Sequence, residues 1–418
     1  MGYSVRAIAN IRHGFAWTLV LGVTLLVLLS AGTGCSARKR NPVPVDAMAA
    51  ARVPGMPDIR AWGGTVSPAF HDDLVRSAAQ ETGDELPRAE DGRVVYAALL
   101  ISGGGADGAF GAGFLNGWSE AGTRPVFKMV TGISAGALIA PFAFLGPQYD
   151  AVLEEAFTTI RSRDVYKTKA FPRESVASSK PLAGLIARFV DEELLAHVAA
   201  AHRRGRRLYV ATGNLDYQTI SVWNMGRIAE YGGPEALALF RNVMLASASI
   251  PVLMPPVMLE VEVDGARYDE MHVDGGVFAQ FFFMGATVDL LRLVEEAEPR
   301  GRYATGVVYV IRNGQIRPEP FQIKRGLGAI AGRSIQSLVK SSALGDLYRV
   351  QAMTRELDIE FHYVGIPQGF ETQDRTKVTF DPEIMRREFQ LGYATAKSED
   401  PWEQDLPGLG ELVEWGHP

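Results

Sequence analysis

From Val94 to Ile101 the chain reads Val-Val-Tyr-Ala-Ala-Leu-Leu-Ile, eight residues with no charge and no polar alternation. A strand wetted on one face alternates apolar and polar side chains. An unbroken apolar run fits a strand covered on both faces, as in a parallel sheet. This run passes straight into Ser102-Gly103-Gly104-Gly105-Ala106-Asp107-Gly108 and then into an apolar helix from Ala109 to Ala121. A second short buried strand, Val126 to Thr131, leads to Gly132-Ile133-Ser134-Ala135-Gly136 and a further apolar helix to Leu145. The order β-α-β-α predicts an α/β fold with a mainly parallel central sheet.

The G-x-S-x-G pentapeptide between strand and helix has the context of a nucleophile elbow. Its turn is so tight that side chains at Gly132 and Gly136 would meet neighbouring backbone. Ser134 then stands clear of the sheet beside the first amides of a helix, where negative charge is favoured. A serine nucleophile needs a base and an oxyanion hole. Gly103, Gly104 and Gly105 sit at a strand end feeding a helix, where bare amides can turn toward an oxyanion, with Ala106 or Ala135 as further donors. The candidate base is Asp274, in Val273-Asp274-Gly275-Gly276, whose two glycines let a loop bring the carboxylate to Ser134.

Three other features bear on the chemistry. On a strand, His272 and Asp274 share a face, which leaves a Ser-His-Asp triad open beside a buried structural histidine. Phe281-Phe282-Phe283 reads as core, with an acyl pocket as the alternative. His202-Arg203-Arg204-Gly205-Arg206-Arg207 ends a predicted helix, where cations suit the dipole; contact with anionic headgroups is the alternative. Asp107 is expected to point away from the oxyanion and cap the helix near Ala109.

The formal net charge of −6 argues against nucleic acid as partner. No zinc-type Cys/His spacing and no Walker-type phosphate loop is present, and no metal or organic cofactor is expected. Gly103-x-Gly105-x-x-Gly108 matches a dinucleotide fingerprint in form, yet the next strand ends in Thr131-Gly132-Ile133-Ser134 without the acid that a ribose requires.

The ordered set S-G-G-G-A-D-G, G-I-S-A-G and D-G-G resembles the patatin-like phospholipases. Gly213-Asn214-Leu215-Asp216 and Ala246-Ser247-Ala248-Ser249-Ile250-Pro251 are similar to further segments of that family. The resemblance covers about Tyr96 to Val277. It implies a three-layer α/β fold and a lipid acyl hydrolase using a Ser-Asp dyad without histidine. Ser134 would be the acylated nucleophile and Asp274 the base, with Gly103, Gly104, Gly105 and Ala106 holding the oxyanion and a lipid ester at a membrane surface as substrate. Two rivals keep the fold: a non-catalytic lipid-binding lipoprotein and an acyltransferase. In one position the chain departs from the family, carrying Asp107 where Arg or Lys is common.

Ahead of the domain, Arg6 and Arg12 precede a nearly all-apolar run from Phe15 to Ser30, which ends in Ala31-Gly32-Thr33-Gly34-Cys35, the chain's one cysteine. This resembles a bacterial lipoprotein leader with Cys35 as the lipidated residue; Gly32 stands where Leu is usual. An uncleaved anchor is the alternative, kept open by Arg38-Lys39-Arg40. Ser36 resembles the outer-membrane sorting pattern, so the expected address is the bacterial envelope, facing the periplasm. The domain reading is a leader over 1–35, a tether over 36–66, a catalytic domain over 67–400 with a cap over about 145–205, and a tail over 401–418.

Overall fold

The computed structural model describes residues 40–81, 86–171, 173–283, 303–370 and 378–406. The predicted leader and Cys35 lie outside them. The chain divides into two compact units, Met1–Pro42 and Val43–Pro418, and the second carries every element below.

In chain order it opens with β1 (Arg60–Trp62), α1 (Pro68–Ala79), β2 (Val94–Ile101), α2 (Gly108–Glu120), β3 (Met129–Gly132) and α3 (Ala135–Leu145). Next come α4 (Asp150–Thr158), α5 (Ser162–Val165), the short hairpin β4 (Lys167–Thr168) and β5 (Ala177–Ser178), α6 (Lys180–Phe189) and α7 (Glu192–Arg203). The chain continues through β6 (Arg207–Asn214), β7 (Thr219–Asn224), α8 (Met225–Tyr231), α9 (Gly233–Ser247), β8 (Val257–Val263) and β9 (Ala266–Asp274). It closes with β10 (Tyr303–Arg312), α10 (Leu327–Glu356), β11 (Glu360–Gly365) and α11 (Pro382–Ala396).

Apart from the β4–β5 hairpin, the described strands form one sheet, ordered β1-β7-β6-β3-β2-β10-β11, with β9 also on β6 and β8 on β9. Its centre, β6-β3-β2-β10-β11, is parallel throughout. The uniform apolar run of β2 is accounted for by two covered faces: Ala97, Leu99 and Ile101 enter one core and Ala98 and Leu100 the other. The same alternation splits Leu208 and Val210 from Tyr209 and Ala211 on β6. Helices α2, α3, α7 and α9 cover the first face, α1 and α10 the second, which makes three layers.

One detail of register places the site. β3 is short: its last residue, Gly132, pairs with Val210 of β6. β6 runs on, and the vacated slot beside it is taken by antiparallel β9, with Thr212 opposite Asp274. The end of β3 and the end of β9 therefore meet at one point. The Asp264-Gly265 turn between β8 and β9 has positive φ at both residues, as a two-residue hairpin requires.

Both expected domain edges need correction. The segment expected to be a tether packs onto the domain from Val43 onward: Val43, Ala51, Ile59 and Ala61 are buried, and β1 pairs with β7. Its lack of periodicity hid apolar anchors spaced for single contacts. The tail also contributes. Trp402 packs among Phe114, Trp118 and Tyr309, and the backbone of Glu403 pairs with Tyr363.

Candidate active site

Ser134 sits between β3 and α3 with φ 56° and ψ −122°, a conformation that a residue with a side chain holds only when its surroundings enforce it. Here they do. A Cβ at Gly132 would stand 2.3 Å from the Gly136 carbonyl oxygen, and one at Gly136 2.2 Å from that of Ile101, so only glycine fits either side of the turn. The Ser134 N–H donates to Ser247 Oγ (3.0 Å), and the Ser247 hydroxyl donates to the Ala211 carbonyl (2.7 Å).

Asp274 ends β9 beside it. The Ser134 hydroxyl donates to Asp274 Oδ2 at 2.6 Å, and Asp274 Oδ1 accepts the Gly276 N–H at 2.7 Å. The Asp274 N–H donates to the Ser249 carbonyl (2.9 Å). Ser247 and Ser249, in the turn at the end of α9, thus hold the backbones of both residues. Burial pushes the Asp274 carboxyl up to about 6 against the opposing effects of the Ser134 hydroxyl and the Gly276 amide. A carboxylate with such a value accepts a proton near neutrality without being permanently protonated.

The glycine loop Gly103–Gly105 approaches from the end of β2. Gly103 lies so close that a Cβ there would be 3.0 Å from Ser134 Cβ. Gly105 has φ 59°, the left-handed region that favours glycine. Two residues from the end of β10, absent from the sequence reading, hold the loop. Arg312 Nη1 donates to the Gly103 carbonyl (3.1 Å), to Ser102 Oγ (3.2 Å) and to Gln280 Oε1 (3.3 Å). Asn313 donates from Nδ2 to the Ser102 carbonyl (2.8 Å), and its Oδ1 accepts the Gly111 N–H (3.1 Å). Gln280 Nε2 donates to the Gly276 carbonyl (2.9 Å), which ties the glycine loop to the turn that carries Asp274. The signal that could have found Arg312 and Asn313 is their place at the carboxyl end of a parallel strand, where α/β sites form.

Asp107 departs from expectation. It occupies the N-cap position of α2, but its carboxylate makes no cap hydrogen bond. A 3-10 turn over Gly105–Asp107 runs directly into the helix and leaves Asp107 with φ −63° and ψ −9°, not the extended conformation that aims a cap side chain at the helix amides.

His272 is fully buried, and its ring is held by partners other than Ser134. Its Nδ1 meets Thr212 Oγ1 (2.9 Å) and its Nε2 meets Glu270 Oε2 (3.1 Å). Burial lowers its pKa below that of a free imidazole, against the opposing pull of the Glu270 carboxylate. Both ring nitrogens are occupied, and the Ser134 hydroxyl hydrogen-bonds to Asp274. The Phe281–Phe283 run lies in the second core and does not line the cleft beside Ser134. The basic cluster after α7 does not form a headgroup surface: His202, Arg206 and Arg207 are buried, Arg206 on the Phe127 carbonyl and Arg207 on Asp73, with only Arg203 and Arg204 exposed.

Gly105, Ser134 and Ala135 line an apolar cleft whose walls include Leu138, Phe142, Phe157, Ile186, Met244 and Phe380. Its cavity volume is about 80 Å³. A cavity of about 150 Å³ holds one benzene, so the cleft as it stands does not enclose a long acyl chain. Among the described residues no group of His, Cys, Asp and Glu is arranged to hold a metal, and no helix is long and apolar enough to cross a membrane.

The family model for patatin-like phospholipases matches residues 99–287. Among solved structures the chain is similar to VipD from Legionella pneumophila, with 13% identity, 76% of this chain and 69% of that one covered, and a TM-score of 0.30. It is also similar to human GIVD cytosolic phospholipase A2, with 13% identity, 73% of this chain covered and a TM-score of 0.32. The alignment spans about half, 52%, of that protein's length. No curated protein matches the chain in sequence.

Proposed function

We propose that the chain, whose residues 99–287 match the patatin-like phospholipase family model, is a serine acyl hydrolase of lipid esters working through a Ser134–Asp274 dyad. The observation that carries this reading is the 2.6 Å hydrogen bond from Ser134 Oγ, in the lining of an apolar cleft, to Asp274 Oδ2. Ser134 Oγ attacks the ester carbonyl carbon while its proton passes to Asp274. Collapse of the tetrahedral intermediate expels the alcohol, which takes that proton. Water, deprotonated by Asp274, then adds to the acyl carbon, and Ser134 Oγ leaves with that proton as the fatty acid is released.

The oxyanion is held by backbone amides of the glycine loop and of Ala135, the residue after the nucleophile and the first of α3. In a trans peptide the C=O and N–H point in opposite directions. Arg312 and Ser102 Oγ (2.6 Å) both draw the Gly103 carbonyl toward β10, so the Gly104 N–H of the same peptide is turned the other way. Arg312 is a positioning residue in this scheme and supplies, from another strand, a cation that the loop lacks at Asp107.

In the same reading Cys35 bears the lipid anchor and the domain works at the outer-membrane surface facing the periplasm. The support is the apolar leader ending at the chain's one cysteine. Replacing Cys35 with Ser and following radiolabelled palmitate into the protein tests it.

The decisive assay is release of fatty acid from phospholipid, together with fluorophosphonate labelling of the full chain and of Ser134→Ala. Turnover and labelling that vanish with Ser134→Ala support the reading. Neither activity nor labelling in folded wild type overturns it in favour of a non-catalytic lipid-binding protein.

A further inference from the structure

β10 ends at the sheet edge that carries the glycine loop, and α10 runs back from that edge toward β11. Its buried residues begin only at Ala343 and continue through Asp346, Leu347, Val350, Gln351 and Thr354. Asp346 sets the level, because its Oδ2 accepts the Gln280 N–H at 2.6 Å and Gln280 stands on Gly276 and Arg312. The helix ahead of Ala343 therefore overhangs the active-site edge, by roughly 24 Å at 1.5 Å per residue.

That overhang is apolar on its outer side. Leu327 is 89% exposed, Ile330 54%, Ile335 61% and Leu338 70%, with Phe321 at 60% just before the helix. Their spacing puts Leu327, Ile330, Ile335 and Leu338 on one helix face. Single exposed apolar residues are ordinary, whereas a contiguous stripe marks a contact surface. The charge around it is one-sided. From Arg317 to Lys340 five cations, Arg317, Lys324, Arg325, Arg333 and Lys340, stand against one carboxylate, Glu319, in a chain of net charge −6. Glu319 is itself engaged by Lys340, and its carbonyl by Arg333.

We propose that Phe321 and the exposed stripe of α10 dock the protein on an anionic phospholipid surface, apolar side chains in the interface and the flanking cations on lipid phosphates. An amphipathic helix with cations beside its apolar face lies in the plane of such a surface. A second copy of the chain would bring the same cations against these and repel. Docking at this edge brings the carboxyl ends of β2 and β10, where the glycine loop and Arg312 sit, toward the lipid. The inference rests on the hydrolase reading only for its kinetic test.

The experiment compares full-length wild type with a variant carrying Leu327→Ser, Ile330→Ser, Ile335→Ser and Leu338→Ser, and with one carrying Lys324→Glu and Arg325→Glu. All six positions are exposed, so both variants are expected to melt like wild type. On a soluble short-chain ester both should keep rates within twofold. On phosphatidylglycerol vesicles the serine variant should fall at least tenfold. The charge variant should lose rate on phosphatidylglycerol but not on phosphatidylcholine, and salt should slow wild type on the anionic vesicles. A readout free of catalysis is trypsin cleavage after Lys324 and Arg325, which phosphatidylglycerol vesicles should slow in wild type and not in the serine variant. Unchanged vesicle rates and equal trypsin cleavage overturn the proposal. So does a serine variant that only changes the sedimented mass of the free protein, which would make the stripe a self-association surface. Wild type that cleaves neither substrate fails the hydrolase reading, and the trypsin comparison then decides docking by itself.

Discussion

Arg312 Nη1 rests 3.1 Å from the carbonyl oxygen of Gly103, at a buried junction that Gln280 completes from the turn after Asp274. One guanidinium thus links the loop proposed to hold the oxyanion to the turn that carries the proposed base. Replacing it with Met should free the Gly103–Gly104 peptide to rotate. The expected result is a kcat about 10²-fold lower with KM within a few-fold, the pattern of a lost transition-state interaction. Arg312→Lys keeps the charge without the planar fork and should recover only part of the rate. Steady-state kinetics on a soluble ester, beside thermal melts, checks this; a raised KM with kcat intact would assign Arg312 to substrate binding instead.

The Asp274 carboxyl, held up to about 6 by burial, predicts a single rising limb in kcat/KM centred near pH 6 and a plateau above it. Asp274→Asn should remove both the limb and at least about 10³-fold of the rate. A limb that persists in that variant would belong to another base.

The same shift has a stability consequence of opposite sense. With its folded value raised from 3.8 to about 6, Asp274 favours the folded state when protonated. That contribution is complete below pH 3.8 and is lost as pH rises through about 6. At pH 8 the buried carboxylate costs about 3 kcal/mol relative to a neutral side chain. Asp274→Asn should therefore melt above wild type at pH 8, and the gap should close toward pH 4. Calorimetry at the two pH values distinguishes this from a pH-independent change.

Those two effects arise from groups that the sequence displays openly. Ser134 and Asp274 lie in short motifs whose glycines have local steric causes, and β2 announces a doubly covered strand by its lack of polar alternation. The parts that stayed hidden depend on distant partners. Arg312 and Asn313 carry no motif; their roles exist only because β10 inserts beside β2. Ser247 holds the elbow through one hydroxyl that composition does not distinguish from any other serine in a turn. The residues from Val43 to Trp62 looked like a tether because each makes its own separate contact, so no period accumulates. Asp107 looked like a helix cap, and the 3-10 turn that denies it that geometry follows from the glycine loop being drawn onto β10.

His272 shares a strand face with Asp274 and still belongs to a different network. With Nδ1 on Thr212 and Nε2 on Glu270, the ring has no nitrogen left for Ser134. His272→Ala should leave the pH 6 limb in place and kcat within about tenfold. It should lower stability by about 1–3 kcal/mol, because Thr212 and Glu270 lose a buried partner. Loss of the limb in a folded His272→Ala protein would convert the dyad into a triad.

Arg60 makes the case that the domain begins well before its first long helix. Its guanidinium is buried on Glu270, donates to the Ala51 carbonyl at 2.9 Å and lies over the rings of Trp62 and Trp223. Glu270 in turn holds His272 and accepts from Asn214 Nδ2 at 3.1 Å, four residues before Asp274 on β9. Removing one partner of a buried ion pair leaves the other charge uncompensated, so Arg60→Met should cost about 3–5 kcal/mol. Changing Glu270 to Gln in the same protein should return part of that loss, because the stranded charge goes with it. By the same reasoning a chain beginning at Val66 lacks β1 and Arg60 together, and it should unfold at lower urea than one that begins ahead of Val43. Urea melts of the four proteins decide it: equal midpoints would return residues 43–66 to the status of a tether, and a low midpoint for the shorter chain would explain silence in any activity assay that used it.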